Sequence, residues 1–304
     1  MQSATFTIAK DTVVDITLDK STRTGVNRSK FARVASQGLK YILLALVMAV
    51  FIVPMFWMIS ASLKDLQEIY TFPPQWIPTD PKWSNYVEAW NAVPFGRFYI
   101  NTIITTFFGV VAEVVLGTMT AYAFVYLPFP RKDLLFLVLL AALMVPIHVT
   151  ILPNYLTIAR LGWLNTYQGI IVPSASVAFG TFLFRQHFLT LPSEILEAAR
   201  IEGAGHLQLL ARIVLPLSQS ILVTVSLLSL VSKWNDFLWP LIVTNQTSMR
   251  VLPVGLAYLF SQEGTNQWGI IMAATIFVVL PILVIFIWAQ RHIISGLTAG
   301  ATKG

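Results

Sequence analysis

Six apolar segments recur along this chain, each long enough to cross the roughly 30 Å hydrocarbon layer of a bilayer. They lie near Leu39–Ala61, Phe98–Tyr126, Leu134–Leu156, Tyr167–Phe188, Ile213–Val243 and Gly269–Gln290. Hydrocarbon offers no partner to a backbone N–H or C=O, so continuous apolar runs of this length are expected to be helical. The expected fold is all-α and polytopic, with a six-helix transmembrane domain over 39–292. Charged residues make up only 11% of the chain, against roughly 25% in soluble domains, which excludes an ordinary soluble fold.

Orientation follows from the basic residues. With the N-terminus inside, the inner segments carry Lys10, Lys20, Arg23, Arg28, Lys30, Arg33, Lys40, Arg131, Lys132, Arg185, Arg200, Arg212, Arg291 and Lys303. The outer segments carry Lys64, Lys82, Arg97, Arg160 and Arg250, and Lys233 falls in the fifth span. The excess predicts that both termini are cytosolic. The net charge of +6 is dispersed between spans, so nucleic acid is not an expected partner. Residues 1–38 read as a loosely ordered cytosolic tail without a secretory signal, and 293–304 as a second cytosolic tail.

A polar island interrupts the apolar pattern at 189–212. Pro192-Ser193 with Glu194 and Glu197 predicts a helix start, Ser193 being the expected N-cap, and Gly203 or Gly205 the stop. Its small Ala198 and Ala199 allow a partner to approach the backbone, while Glu197, Arg200 and Glu202 offer bonds at the edge. An ordinary loop helix has the same local chemistry.

The spacing is more specific. Glu197-Ala198-Ala199, three residues, Gly203, nine residues, then Ile213-x-Leu215-Pro216 resembles the signature loop of permease subunits of binding-protein-dependent ABC importers. Glu202-Gly203-Ala204 stands where many members have Asp-Gly-Ala, which keeps the charge. The string Trp234-Asn235-Asp236-Phe237-Leu238-Trp239-Pro240 and the tail Gly296–Gly304 resemble the carbohydrate-type, maltose-like branch. Phe184-Arg185-Gln186 and Glu263-Gly264-Thr265 look somewhat like glycerol-3-phosphate permeases.

The resemblance implies a six-helix permease of the type I ABC importer kind in the inner membrane. Glu197, Ala198, Ala199, Gly203, Ile213, Leu215 and Pro216 would form a cytosolic coupling helix and its exit, seated on an ATPase. It also implies a second homologous permease, two ATPase subunits that hold ATP and Mg, and an extracytoplasmic binding protein. That protein would be contacted by Glu263, Gly264, Thr265 and Asn266, and the C-terminal tail would extend between the ATPases. The substrate would be a sugar or derivative, either an oligosaccharide or glycerol-3-phosphate and its diesters.

Absences agree with a subunit that binds no cofactor and catalyses nothing itself. The sequence contains no G-x-x-x-x-G-K-[ST] phosphate loop, no cysteine, and no histidine or carboxylate grouping at metal spacing.

Residues for a solute path are sought where polar groups enter the spans. Glu113 in the second must pair within the bundle, line a cavity, or carry a proton. Pro146, His148, Pro153, Asn154, Pro173, Ser174 and Ser176 break the third and fourth spans, as cavity-lining helices are broken. Trp234, Asn235 and Asp236 close the fifth, where Lys233 and Asp236 are expected to pair locally. Between the first two spans, a proline- and tryptophan-rich loop, 62–97, is expected to cap the outer surface or meet the binding protein, with a short helix near Asn85–Trp90. An ABC permease for a non-sugar solute would share the signature loop, and an ion-coupled secondary transporter or a membrane scaffold would share the spans, but transport by the secondary transporter would survive loss of any ATPase.

Overall fold

The computed structural model describes residues 21–175, 177–263 and 267–301, with side chains described over 36–175, 177–260 and 267–290. Every regular element among them is helical.

The chain divides into two units at Trp57/Met58. Helix α1 (Ser21–Ser62) supplies the first. It is already helical from Ser21, where a loose tail to residue 38 was expected. Its apolar stretch Ser36–Ser62 is long enough to cross a bilayer.

In the second unit, α2 (Leu66–Ile69) and α3 (Ser84–Ala92) lie in the expected cap. The cap is folded, not merely laid on a surface. The Asn85 amide donates to the carbonyls of Ser62 and Lys64, both at 2.9 Å, and Trp90 packs against Phe95, Tyr99 and Phe277. Trp76 and Trp83 stay exposed.

The centre of this unit is α4 (Phe95–Tyr126). The rest comprises α5 (Lys132–Leu143), α6 (Ile147–Arg160), α7 (Tyr167–Ser174), α8 (Val177–Phe188), α9 (Ser193–Ile201), α10 (His206–Leu209), a π-helical turn (Leu210–Val214) and α11 (Leu215–Leu217). Then come α12 (Gln219–Trp234), α13 (Leu238–Val243), α14 (Leu252–Glu263) and α15 (Trp268–Ala301). Helix α4 packs along α8 and α12 and meets α7 and α14, while α15 packs against α12, α3 and α14.

The packing inverts the pattern of a soluble protein. Gly109, Glu113, Gly117 and Ala121, four apart, form the buried stripe of α4, while Ile103, Phe107, Val111 and Val115 are exposed. Burying apolar surface brings little gain between helices in lipid, so close contact comes from small residues. A Cβ on Gly117 would stand 3.4 Å from the Phe184 ring and the Thr181 backbone.

Three helices, α1, α4 and α15, are long and apolar enough to span a membrane, and three bent pairs bring the number to six when each counts as one span. The pairs are α5 with α6, bent by 96°, α7 with α8, by 45°, and the His206–Leu217 segment with α12, by 85°. Pro146 explains the first bend: it is the N-cap of α6, and α5 ends three residues before it. The fifth span differs from the uninterrupted Ile213–Val243 expected. Pro216 has no N–H for the Arg212 carbonyl, the preceding turn widens to π geometry, and the helix turns off at Ser218. A second interruption at Asn235–Phe237 separates α12 from α13.

Two further expectations change. The segment 244–268 is not simply a loop: α14 begins where the Leu252 N–H donates to Thr102 Oγ1 at 2.8 Å, and Gly255 lets it close on Phe98. The C-terminal segment continues α15 to Ala301 through Gly296 and Gly300, each a residue that costs a helix roughly 0.5–1 kcal/mol.

Candidate functional site

The first polar site lies between α4, α7 and α12. Lys233 Nζ is 3.0 Å from Glu113 Oε2, and both side chains are only 9% exposed. The same oxygen accepts the Ser229 hydroxyl at 2.8 Å. Lys233 also donates to the Ser174 carbonyl at 2.6 Å. That carbonyl ends α7, where the broken helix leaves backbone oxygens without helical donors, so the ammonium satisfies a group that hydrocarbon could not. Gly109 makes room for the lysine stem: a Cβ there would sit 2.6 Å from Lys233 Cδ.

This corrects the expected local Lys233–Asp236 pair. Glu113, 120 positions away in sequence, takes the lysine because α4 and α12 cross at Gly109, whereas Asp236 lies beyond the end of α12. Glu113, Ser174, Ser229, Ser232, Lys233 and Asp236 line one cleft of about 420 Å³, with apolar walls that include Phe179.

Of the other path residues, Trp234 is buried, its indole N–H bonded to the Val278 carbonyl at 3.0 Å, so it belongs to the α12–α15 packing. Asn235 lines a different groove, beside α14 and α15. His148 and Asn154 are exposed on α6 and do not line the cleft, although Ile147 does. Ser176, Gly264, Thr265 and Asn266 lie outside the described residues, and Glu263 is the last residue of α14.

The second site is α9 and its exit. Pro192 is the N-cap and Ser193 the first helical residue, a shift of one from the sequence reading. Gly203 terminates the helix at φ +87°, a left-handed conformation that disfavours a side chain. The Gly203 N–H bonds to the Arg200 carbonyl and the Ala204 N–H to the Ala199 carbonyl, both at 3.0 Å, the two bonds of a Schellman end. Leu196 is buried and Ala199 packs with it against Phe188, Leu209 and Val214. The opposite face presents Glu197 and Ala198 with Ile201, 87% exposed, and beyond the turn Leu207, 72% exposed. Two large apolar side chains are thus held in the open among Glu194, Glu197, Arg200 and Glu202.

This helix is tied to the first site. The Arg200 guanidinium carries its charge near Tyr122 on α4, and His206 Nδ1 is 3.1 Å from the Tyr122 hydroxyl. Ile213 and Leu215 pack in the same cluster, and Pro216 is exposed at the elbow before α12. Sequence reading missed Tyr122, His206 and Ser229. Opposite charges in two spans were the available signal for the ion pair; the tyrosine carried none. No group of three or more metal-ligating side chains occurs among the described residues.

Comparison with known proteins places these features. The profile of the binding-protein-dependent transport system inner membrane component family matches residues 113–298. The sn-glycerol-3-phosphate transport system permease protein UgpE of Yersinia pestis bv. Antiqua is 37% identical over 246 residues, 79% of this chain and 87% of that protein. The fold resembles a bacterial ABC transporter involved in the import of the acidic polysaccharide alginate, with a TM-score of 0.75 and 23% identity over 86% of this chain and 97% of that one. The bacterial alginate ABC transporter in complex with an alginate pentasaccharide-bound periplasmic protein gives a TM-score of 0.54 and 18% identity over 86% of this chain and 96% of that one.

Proposed function

Because the chain belongs to the family of inner membrane components of binding-protein-dependent transport systems, we propose that it is the translocating subunit of an ATP-driven importer for a sugar or sugar derivative. The observation that carries the coupling role is the exposed face of α9: Ala198, Ile201 and Leu207 form an apolar knob at a polar end of the bundle, anchored beneath by Leu196. Such a patch rimmed by charge is what a protein partner buries. The partner is an ATPase, which supplies the ATP and Mg chemistry, since this chain has no phosphate loop.

Closure of two ATPase subunits moves α9. The motion passes through Arg200 and His206 to Tyr122 on α4, and through Ile213–Pro216 to the elbow at Ser218 and α12. Helices α4 and α12 meet again at Glu113–Lys233, so work done at α9 reaches the cleft by two rigid routes. A second, homologous permease closes the other side of the path, and an extracytoplasmic binding protein delivers the solute, with residues 263–266 among its contacts. The distribution of basic residues supports cytosolic termini and a cytosolic α9.

The test is reconstitution of the complex with Ala198→Trp or Gly203→Pro. Both variants insert and assemble but lose ATP hydrolysis stimulated by the loaded binding protein. Normal stimulation in both removes α9 from the coupling path.

A further inference from the structure

The charge balance of the cleft bears on what passes through it. Lys233 is its only cation among the described residues, and that charge is matched by Glu113 at 3.0 Å. Asp236 lines the same cleft without an ion pair among the described residues. Counted at their formal charges, Glu113, Lys233 and Asp236 leave one negative charge in the cleft. A carboxylate has about four acceptor positions, and no side-chain hydrogen bond fills those of Asp236 among the described residues. Around it stand the hydroxyl of the exposed Ser232 and the 42% exposed ring of Phe179. An acceptor carboxylate beside hydroxyls and an open aromatic ring suits a polyol that donates from its hydroxyls and lays its C–H face on the ring. A phosphate would require a cation released from Glu113, and would meet like charge instead.

We propose that this cleft is a sugar subsite selective for uncharged polyhydroxyl compounds, with Asp236 accepting from substrate hydroxyls and Phe179 packing on the sugar face, and that phosphorylated compounds are disfavoured in it. The assignment builds on the permease reading and narrows its substrate class. It departs from what the name of the 37% identical relative would transfer.

The chain has no cysteine, so a single Ser232→Cys reports the cleft directly. The assembled complex, with cysteine-free partner chains, is labelled with cationic trimethylammonioethyl and anionic sulfonatoethyl methanethiosulfonate. The cationic reagent is favoured about tenfold over its intrinsic advantage, and Asp236→Asn removes most of that preference. Millimolar maltose slows labelling, millimolar glycerol-3-phosphate does not, and Asp236→Asn abolishes protection by maltose. Equal or better protection by glycerol-3-phosphate overturns the charge argument, and protection by neither overturns the subsite. Leu228→Cys, on the same wall, serves if Ser232→Cys fails to assemble. ATP hydrolysis stimulated by the binding protein is measured on the same samples: if it persists while protection fails, the inference falls and the permease reading stands.

Discussion

Replacing Glu113 with glutamine keeps the shape of the side chain and an acceptor for Ser229 but deletes the charge facing Lys233. At 3.0 Å and an effective dielectric near 20, the pair attracts by about 5 kcal/mol. Desolvation offsets much of that, and both side chains are 9% exposed, so surface screening offsets little more. The cost of the single change is instead the cost of leaving Lys233 buried without its counter-charge, about 3–5 kcal/mol. The cleft that the pair lines opens room for solvation and places the expectation at the lower end, about 3 kcal/mol. Lys233→Met costs a similar amount, because it strands Glu113 and the Ser174 carbonyl. Once one charge is gone, removing the other costs little, so Glu113→Gln/Lys233→Met loses scarcely more than either single variant. Reversible unfolding in bicelles, run as a double-mutant cycle, should give a coupling of about 2–3 kcal/mol. Additivity within about 0.5 kcal/mol would refute the claim that this pair ties α4 to α12.

Other expectations follow from single positions. Gly109→Ala forces a Cβ to within 2.6 Å of Lys233 Cδ, so it should cost about 1–3 kcal/mol in the same assay. Combined with Lys233→Ala, that penalty should largely disappear. Gly203→Ala meets no atom within 4 Å, so its cost is the left-handed backbone alone, about 1–2 kcal/mol, read as faster amide exchange at Ala204. In the cap, the Glu68 N–H bond and then Lys82 hold the Asp65 carboxyl below its usual range. A depressed folded-state value means that its stabilisation is present above the ordinary aspartate range and is lost as pH falls through the lowered value. The Glu68 amide should therefore lose protection in acid, and Asp65→Asn should remove the pH dependence.

Helix α9 was legible because it is local: a polar stretch between apolar runs, with a glycine where the backbone turns left-handed at Gly203. The bend at Pro146 was legible, since proline withholds a donor from the helix wherever it sits, whereas the fifth span read as unbroken despite Pro216. The elbow itself falls at Ser218, set by how the π turn Leu210–Val214 and α12 pack. Helix α14 was not legible, because Leu252–Glu263 is too short to read as a span and its start depends on Thr102, 150 positions earlier. The pairing of Lys233 illustrates the same limit. Asp236 is near in sequence, but Gly109 opens a gap that only the packed α4–α12 contact reveals, and Glu113 lies one turn beyond it.

The most direct measurement uses the absence of native cysteine. In the assembled complex, Ile201→Cys on α9 is paired with single cysteines along the ATPase surface and oxidised, and the linked species is scored for ATP hydrolysis and uptake. The account predicts a cross-link whose yield changes with bound nucleotide, which stops turnover and releases it on reduction. Labelling of the Ile201→Cys variant in intact cells by an impermeant reagent from outside, with ATP-driven uptake unimpaired, would contradict it.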